Sequence, residues 1–219
     1  MGEFFDLSIV LAAWPLLWRG LVATIGLSLL VIPLGLSAGL GLALLGTLSH
    51  RGIRWAVIGW TDLFRAFPPL VLLILLYGGL PFAGLELGGV ACMAIAFFLN
   101  TGAYFGEVIR AGITSVPRGQ SEAARSLGLS TGQTLRRVVL PQALANVLPD
   151  LVSNTLEVVK LTSLASVVAV PELLYQARQA QSLTYNPSPI LAASVLYALL
   201  LWPIVKLLRR LELRAALRR

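Results

Sequence analysis

Five long apolar stretches decide what this chain can fold into. They lie at about residues 21–45, 55–80, 90–109, 151–170 and 190–208. A helix of about 20 apolar residues, rising 1.5 Å per residue, crosses the roughly 30 Å hydrocarbon core of a bilayer. Only 12% of the residues are charged and 57% are hydrophobic, whereas soluble domains carry about 25% charged residues. The expected fold is therefore an all-α integral membrane protein. It has five transmembrane helices in one domain over residues 1–219.

The net charge is +7 and the isoelectric point about 10.3. In a soluble protein such a balance points to nucleic acid. Here the basic residues gather at the ends of apolar runs, so they report topology. Let the loop at 49–54, the polar stretch after the third span and the C-terminal tail share one side. That side receives Arg51, Arg54, Arg110, Arg118, Arg125, Arg136, Arg137, Lys206, Arg209, Arg210, Arg214, Arg218 and Arg219, with Arg65 near its edge. The opposite side holds Arg19 and Arg178. Basic residues stay in the cytoplasm, which predicts the N-terminus outside and the C-terminus inside.

Residues 4–18 are apolar but short and broken by Pro15. They predict a separate interfacial helix, with Trp14 and Trp18 at headgroup level. Glu3 and Asp6 stand where a cleavable signal needs basic residues. Gly35 and Gly39 are four apart, which allows close helix approach. In span two, Pro68-Pro69 removes backbone donors and bends or breaks the helix. Asp62 with Arg65, and Glu107 with Arg110, have the i, i+3 spacing of structural ion pairs. His50 reads as a surface loop residue and Cys92 as a small buried one. Residues 171–189 form a polar loop with a short helix around 172–180.

The thirty-odd residues from Gly119 to Pro149 form a polar, basic island between two apolar spans. Pro117 and Gly119 end the preceding helix. Ser121–Leu127 then predicts a short helix closed by Gly128, a residue suited to the left-handed helix end. Ala123, Ala124 and Leu127 give it a small apolar face, fit to enter a groove on a partner. Ser130-Thr-Gly-Gln133 has the form of a capping box, opening a second helix over 131–140. Pro141 and Pro149 set the angle into span four.

The order of these residues carries a resemblance. Glu122-Ala123-Ala124, Gly128 three residues after Arg125, and Leu140-Pro141 resemble the EAA signature of ABC importer permeases. Ala103-Tyr104, Glu107, Arg110, Gly112-Ile113, Ser115-Val116-Pro117 and Gly119-Gln120 are similar to the polar amino acid subfamily, which serves histidine, glutamate, glutamine, arginine and opines. So are Leu140-Pro141-Gln142-Ala143 and Lys160-x-Thr162-Ser163-Leu164. The similarity covers about residues 15–210. It implies a type I importer permease fold in a bacterial cytoplasmic (inner) membrane. It also implies that Gly119, Glu122, Ala123, Ala124, Gly128 and Pro141 form the dock for a cytoplasmic ATPase. Two departures stand near the implied path. Arg65-Ala66-Phe67-Pro68-Pro69 replaces Arg-Gly-Thr-Pro, and Leu161 replaces an acid after Lys160. They leave the class intact and the substrate open.

Span four holds Asn154, Glu157, Lys160, Thr162 and Ser163. Ionisable residues at membrane depth are costly and face protein or water. Glu157 and Lys160 are i, i+3 neighbours. They suit either a self-neutralising structural pair or a lining for a zwitterion, which needs one partner of each sign. The resemblance places substrate on this helix, making Asn154, Glu157, Lys160 and Thr162 the candidates for the path.

The sequence has no Walker A loop, no H-E-x-x-H and no G-x-S-x-G, and its single His and single Cys make a metal or nucleophile site unexpected. The expectation is a transport subunit that is not itself an enzyme and holds no cofactor or metal. ATP and magnesium would sit on a partner ATPase dimer. The other implied partners are a second permease, identical or paralogous, an external binding protein, the lipid bilayer and an amino acid substrate, with no nucleic acid. The competing readings are an ABC permease for another small polar solute, a transporter or channel working without an ATPase, which has no use for a small-faced docking helix, and a non-transporting scaffold, which leaves Glu157 and Lys160 without a task.

Overall fold

The computed structural model describes residues 5–48 and 50–216. Glu3, Arg218 and Arg219, named above, lie outside the described residues, as do residues 4 and 49 and the Arg214 side chain. Among the described residues there are ten α-helices, two short 3-10 turns, one π turn and no strand. They are α1 (Leu7–Gly46), α2 (Arg51–Ala66), α3 (Pro69–Gly79), α4 (Gly89–Ser115), α5 (Arg118–Ser126), α6 (Thr131–Thr134), α7 (Leu140–Asn146), α8 (Leu148–Leu161), α9 (Leu173–Thr184) and α10 (Ser188–Ala216). Among the described residues, four helical stretches are long and apolar enough to span a membrane, and α2 with α3 makes a fifth if that bent pair is one span.

The expected interfacial helix at 4–18 is not separate. It is the first part of α1, whose 40 residues run unbroken through Pro15 and Pro33. A proline removes one N–H and crowds the carbonyl four residues earlier. Ending the helix in an apolar setting would strand several backbone groups instead, so the helix continues. The prolines at 68–69 act as expected. Pro68 is extended (φ −61°, ψ 127°) and Pro69 opens α3 at its first position, where its missing N–H costs nothing.

The helices fall into two compact units, Met1–Leu34 with Phe67–Phe98 and Thr155–Lys206, and Gly35–Ala66 with Leu99–Asn154 and Leu207–Arg219. In the first unit, Ala13 and Leu17 of α1 pack on Leu173, Ala177 and Ala180 of α9 and Ala193 of α10. In the second, α1 meets α4 along a glycine seam. A Cβ on Gly39 would stand 2.6 Å from the Gly106 nitrogen and from the Phe105 Cβ, and one on Gly102 would stand 2.7 Å from the Ala38 Cβ. Gly35 meets Thr101 and Phe105 in the same way. The Gly35–Gly39 spacing is thus an intramolecular packing device, since small residues let two backbones come close.

Candidate functional site

Within the second unit the polar island folds as its local chemistry dictates. Pro117 is extended (φ −58°, ψ 137°) and α5 begins after it. The helix ends in a paired carbonyl cap: Gly128 N donates to Arg125 O at 2.9 Å and Leu129 N to Ala124 O at 3.2 Å. This Schellman arrangement needs a left-handed residue between them, and Gly128 has φ +84°. Ser130 then caps α6 reciprocally, its Oγ accepting from Gln133 N at 3.3 Å while Gln133 Oε1 accepts from Ser130 N at 2.9 Å. The expected helix over 131–140 carries a wide π turn at Leu135–Val139. Pro141 has no N–H to close the ordinary bond four residues back. Just before it, Leu140 N reaches Leu135 O, five residues back.

The six implied docking residues do not share one face. Gly119 and Ala123 are exposed, and no atom lies within 4 Å of where a Gly119 side chain would begin. Glu122 is exposed on a different side, beside Arg118 and Arg125. Ala124 is buried at 5% exposure, so it anchors α5. Gly128 and Pro141 shape the backbone and are exposed. Beneath them Val116, Val139 and Ala143 form a small core.

The same unit holds two of the charged pairs expected from spacing. Glu107 accepts from Arg110 Nε at 2.9 Å, as expected. Asp62 and Arg65 do not pair. The Arg65 guanidinium lies 5.6 Å from the centre of the Tyr104 ring, a cation–π distance. The Tyr104 hydroxyl donates to Arg65 O at 3.1 Å. Asp62 instead lines a cavity of about 570 Å³ with Arg54, Glu107 and Arg110.

The polar residues of span four divide in burial. Lys160 Nζ donates to Glu157 Oε1 at 2.6 Å, with side chains 52% and 60% exposed. The opposite side of α8 is buried through Leu156, Val158 and Val159. Asn154 is half-buried. Thr162 is fully buried, and its hydroxyl donates to Val159 O at 2.7 Å. Ser163 and Ser166 likewise donate to carbonyls three residues back as the helix tightens into 3-10 turns. The Thr162 hydroxyl thus spends its proton within its own helix.

A further polar cluster was not anticipated. Glu172, expected as a helix residue, is the N-cap of α9 and is 0% exposed. Its Oε1 accepts from Tyr175 N at 2.7 Å. Its Oε2 accepts from Leu174 N at 2.9 Å and from the Tyr197 hydroxyl at 2.7 Å. Leu173 N donates to Thr24 Oγ1 at 3.1 Å. The carboxylate thus pins α9 to α10, and the Leu173–Thr24 bond ties it to α1. Burial pushes the Glu172 carboxyl above its ordinary value, against the opposing pull of its three donors and of Arg178. An acid directly after Pro171 and directly before an amphipathic helix was the available signal.

With this geometry in place, the chain can be set against known proteins. Residues 31–216 match the family described as the binding-protein-dependent transport system inner membrane component. The chain belongs to this family. The permease is similar to a probable amino-acid ABC transporter permease of Bacillus subtilis, 34% identical over 200 residues, covering 91% of this chain and 87% of that protein. It is 33% identical over 217 residues to the histidine/lysine/arginine/ornithine transport system permease protein of Escherichia coli, covering 91% of each. Among solved structures, a crystal structure of an amino acid ABC transporter with histidines superposes with a TM-score of 0.87 at 34% identity, covering 98% of this chain and 99% of that one. An inward-facing methionine ABC transporter gives a TM-score of 0.76 at 20% identity over 91% of this chain and 96% of that one, which speaks for the fold. The permease is an inner-membrane component of an ABC importer with the type I fold. Its family comprises permease subunits rather than ATPases, and works with an ATPase and a binding protein.

Proposed function

We propose that this permease carries a polar amino acid delivered by an external binding protein and couples its passage to ATP hydrolysis through α5. Amino-acid permeases at 34% and 33% identity over nine-tenths of the chain support that substrate class. The observation that carries the coupling role is α5 itself: a nine-residue helix, closed by left-handed Gly128, with the small residues Gly119 and Ala123 exposed. Leu127, 82% exposed one turn after Ala123, adds an apolar group on that side that a partner groove could cover. In this reading the N-terminus lies outside and the C-terminus inside. Two permeases, identical or paralogous, stand over two ATPases that hold the ATP and magnesium, and this chain holds no cofactor. ATP-driven closure of the ATPases draws the coupling helices together, and rigid-body motion then turns the path from inward- to outward-facing.

Along the path, Glu157 and Lys160 offer opposite charges to a zwitterion. Their exposure of more than half inside a predicted span supports this, because ionisable groups at that depth face protein or water rather than lipid. The coupling role is tested by assembling the full chain with its ATPase and introducing Gly128→Asp or Glu122→Lys. Either substitution is expected to abolish association or stimulated hydrolysis. Hydrolysis and association that survive both would remove α5 as the dock.

A further inference from the structure

Behind α5, inside the second unit, lies a cavity of about 540 Å³. One wall is a single stripe of α5, Arg118, Ser121, Glu122 and Arg125, with the i, i+3, i+4, i+7 spacing of one helical face. The facing wall comes from α6 and the wide turn and includes Thr131, Thr134 and Leu135. The floor is apolar, made by the buried Val116 and Val139.

Three features of this cavity point to a ligand. Arg118 and Arg125 are both exposed, and neither forms an ion pair with a described residue. With only Glu122 as an opposing charge, the cavity is net positive. Thr134 is 4% exposed, and its Oγ1 has no hydrogen-bond partner among the described residues. Buried polar atoms are nearly always satisfied, so an orphan calls for an explanation. A hydroxyl donates readily to an anion. A guanidinium fork matches phosphate oxygens in pairs.

We propose that this cavity is a binding site for a phosphate-bearing anion, held by Arg118 and Arg125 with the hydroxyls of Ser121 and Thr134 as further donors. Two sources present that chemistry, an anionic phospholipid headgroup and free phosphate. The apolar floor suits the former, as basic pockets among membrane helices take up such headgroups. The site does not depend on α5 being the ATPase dock. Because Glu122 shares its wall, an occupied cavity would hold α5 in one position and so influence whatever α5 contacts.

The test uses the full chain in phosphatidylcholine nanodiscs, with and without phosphatidylglycerol. Native mass spectrometry counts retained lipid, and calorimetric titration follows inorganic phosphate. Arg118→Ala with Arg125→Ala is expected to weaken the bound probe about tenfold or more, and Thr134→Val to weaken it less. Arg136→Ala with Arg137→Ala removes the same charge from residues that do not line the cavity and is expected to leave binding intact. Retained phosphatidylglycerol assigns the lipid source, and phosphate binding without lipid preference assigns the free anion. Should the first pair of substitutions prevent folding, Arg118→Gln alone carries the same reading. The proposal is overturned if neither probe binds, or if both pairs weaken binding equally. It is also overturned if the first pair leaves both probes bound as in the wild type.

Discussion

Glu157 and Glu172 lie fifteen residues apart and within the same compact unit, yet they are used in opposite ways. Glu172 is fully buried and receives three hydrogen bonds, two from backbone amides and one from Tyr197. Glu157 has one partner, Lys160, and both remain more than half exposed. A buried carboxylate is tolerable only when its lone pairs are engaged, so Glu172 is committed to holding α9. A pair that is open on one side keeps capacity to bind something else. In this permease the satisfied acid holds architecture, and the open pair is the one proposed to meet a solute.

The sharpest way to break this contrast is Glu172→Ala. It leaves the Tyr197 hydroxyl and two α9 amides without their acceptor, and the expected loss is about 3 kcal/mol or more, read as a lower thermal midpoint in detergent. Unchanged stability with lost transport would instead make Glu172 a functional acid. Next in size is Glu157→Gln or Lys160→Met. An exposed pair contributes about 0–1 kcal/mol, so the midpoint barely moves. Transport per folded complex in proteoliposomes is expected to fall about tenfold, equal to about 1.4 kcal/mol. Thr162→Val serves as control, losing its bond to Val159 with transport per folded complex unchanged. Normal transport by both Glu157 and Lys160 variants would reduce the pair to structure.

The smallest effect is in pH. Glu172 has a folded value raised by burial. Its stabilising contribution is therefore full below the ordinary carboxyl value near 4.5 and is lost as pH rises through the raised folded value. Relative to Glu172→Gln, the wild-type midpoint is expected to decline across that window. A difference between the two that stays constant with pH would show that the acid does not titrate there.

Much of this was legible in the sequence because it is local. Ser130 with Gln133 predicts its own capping box, Gly128 its left-handed helix end, and Pro68-Pro69 the break in span two. Glu107 and Arg110 pair as their spacing suggests. The misreadings share one cause, competition from a partner distant in sequence or from the surroundings. Arg65 prefers the ring of Tyr104, 39 residues away, to Asp62 one turn back. Glu172 is sequestered by Tyr197, 25 residues on. Pro15 looks like a helix end when only local rules are applied, but an apolar setting makes ending the helix costlier than carrying the proline. Of the path candidates, Thr162 proved to be engaged with its own helix, a choice that spacing alone does not reveal.

The glycine seam between α1 and α4 also has a consequence in time. Gly39 and Gly106, which meet in the folded chain, are 67 residues apart in sequence (106 − 39). At a synthesis rate of about 5–20 residues per second, α1 must wait roughly 3–13 seconds before its partner surface leaves the ribosome. During that interval its exposed glycine face is open to any other small-faced helix nearby. Correct assembly of this permease is therefore partly a matter of keeping that seam unoccupied until α4 arrives.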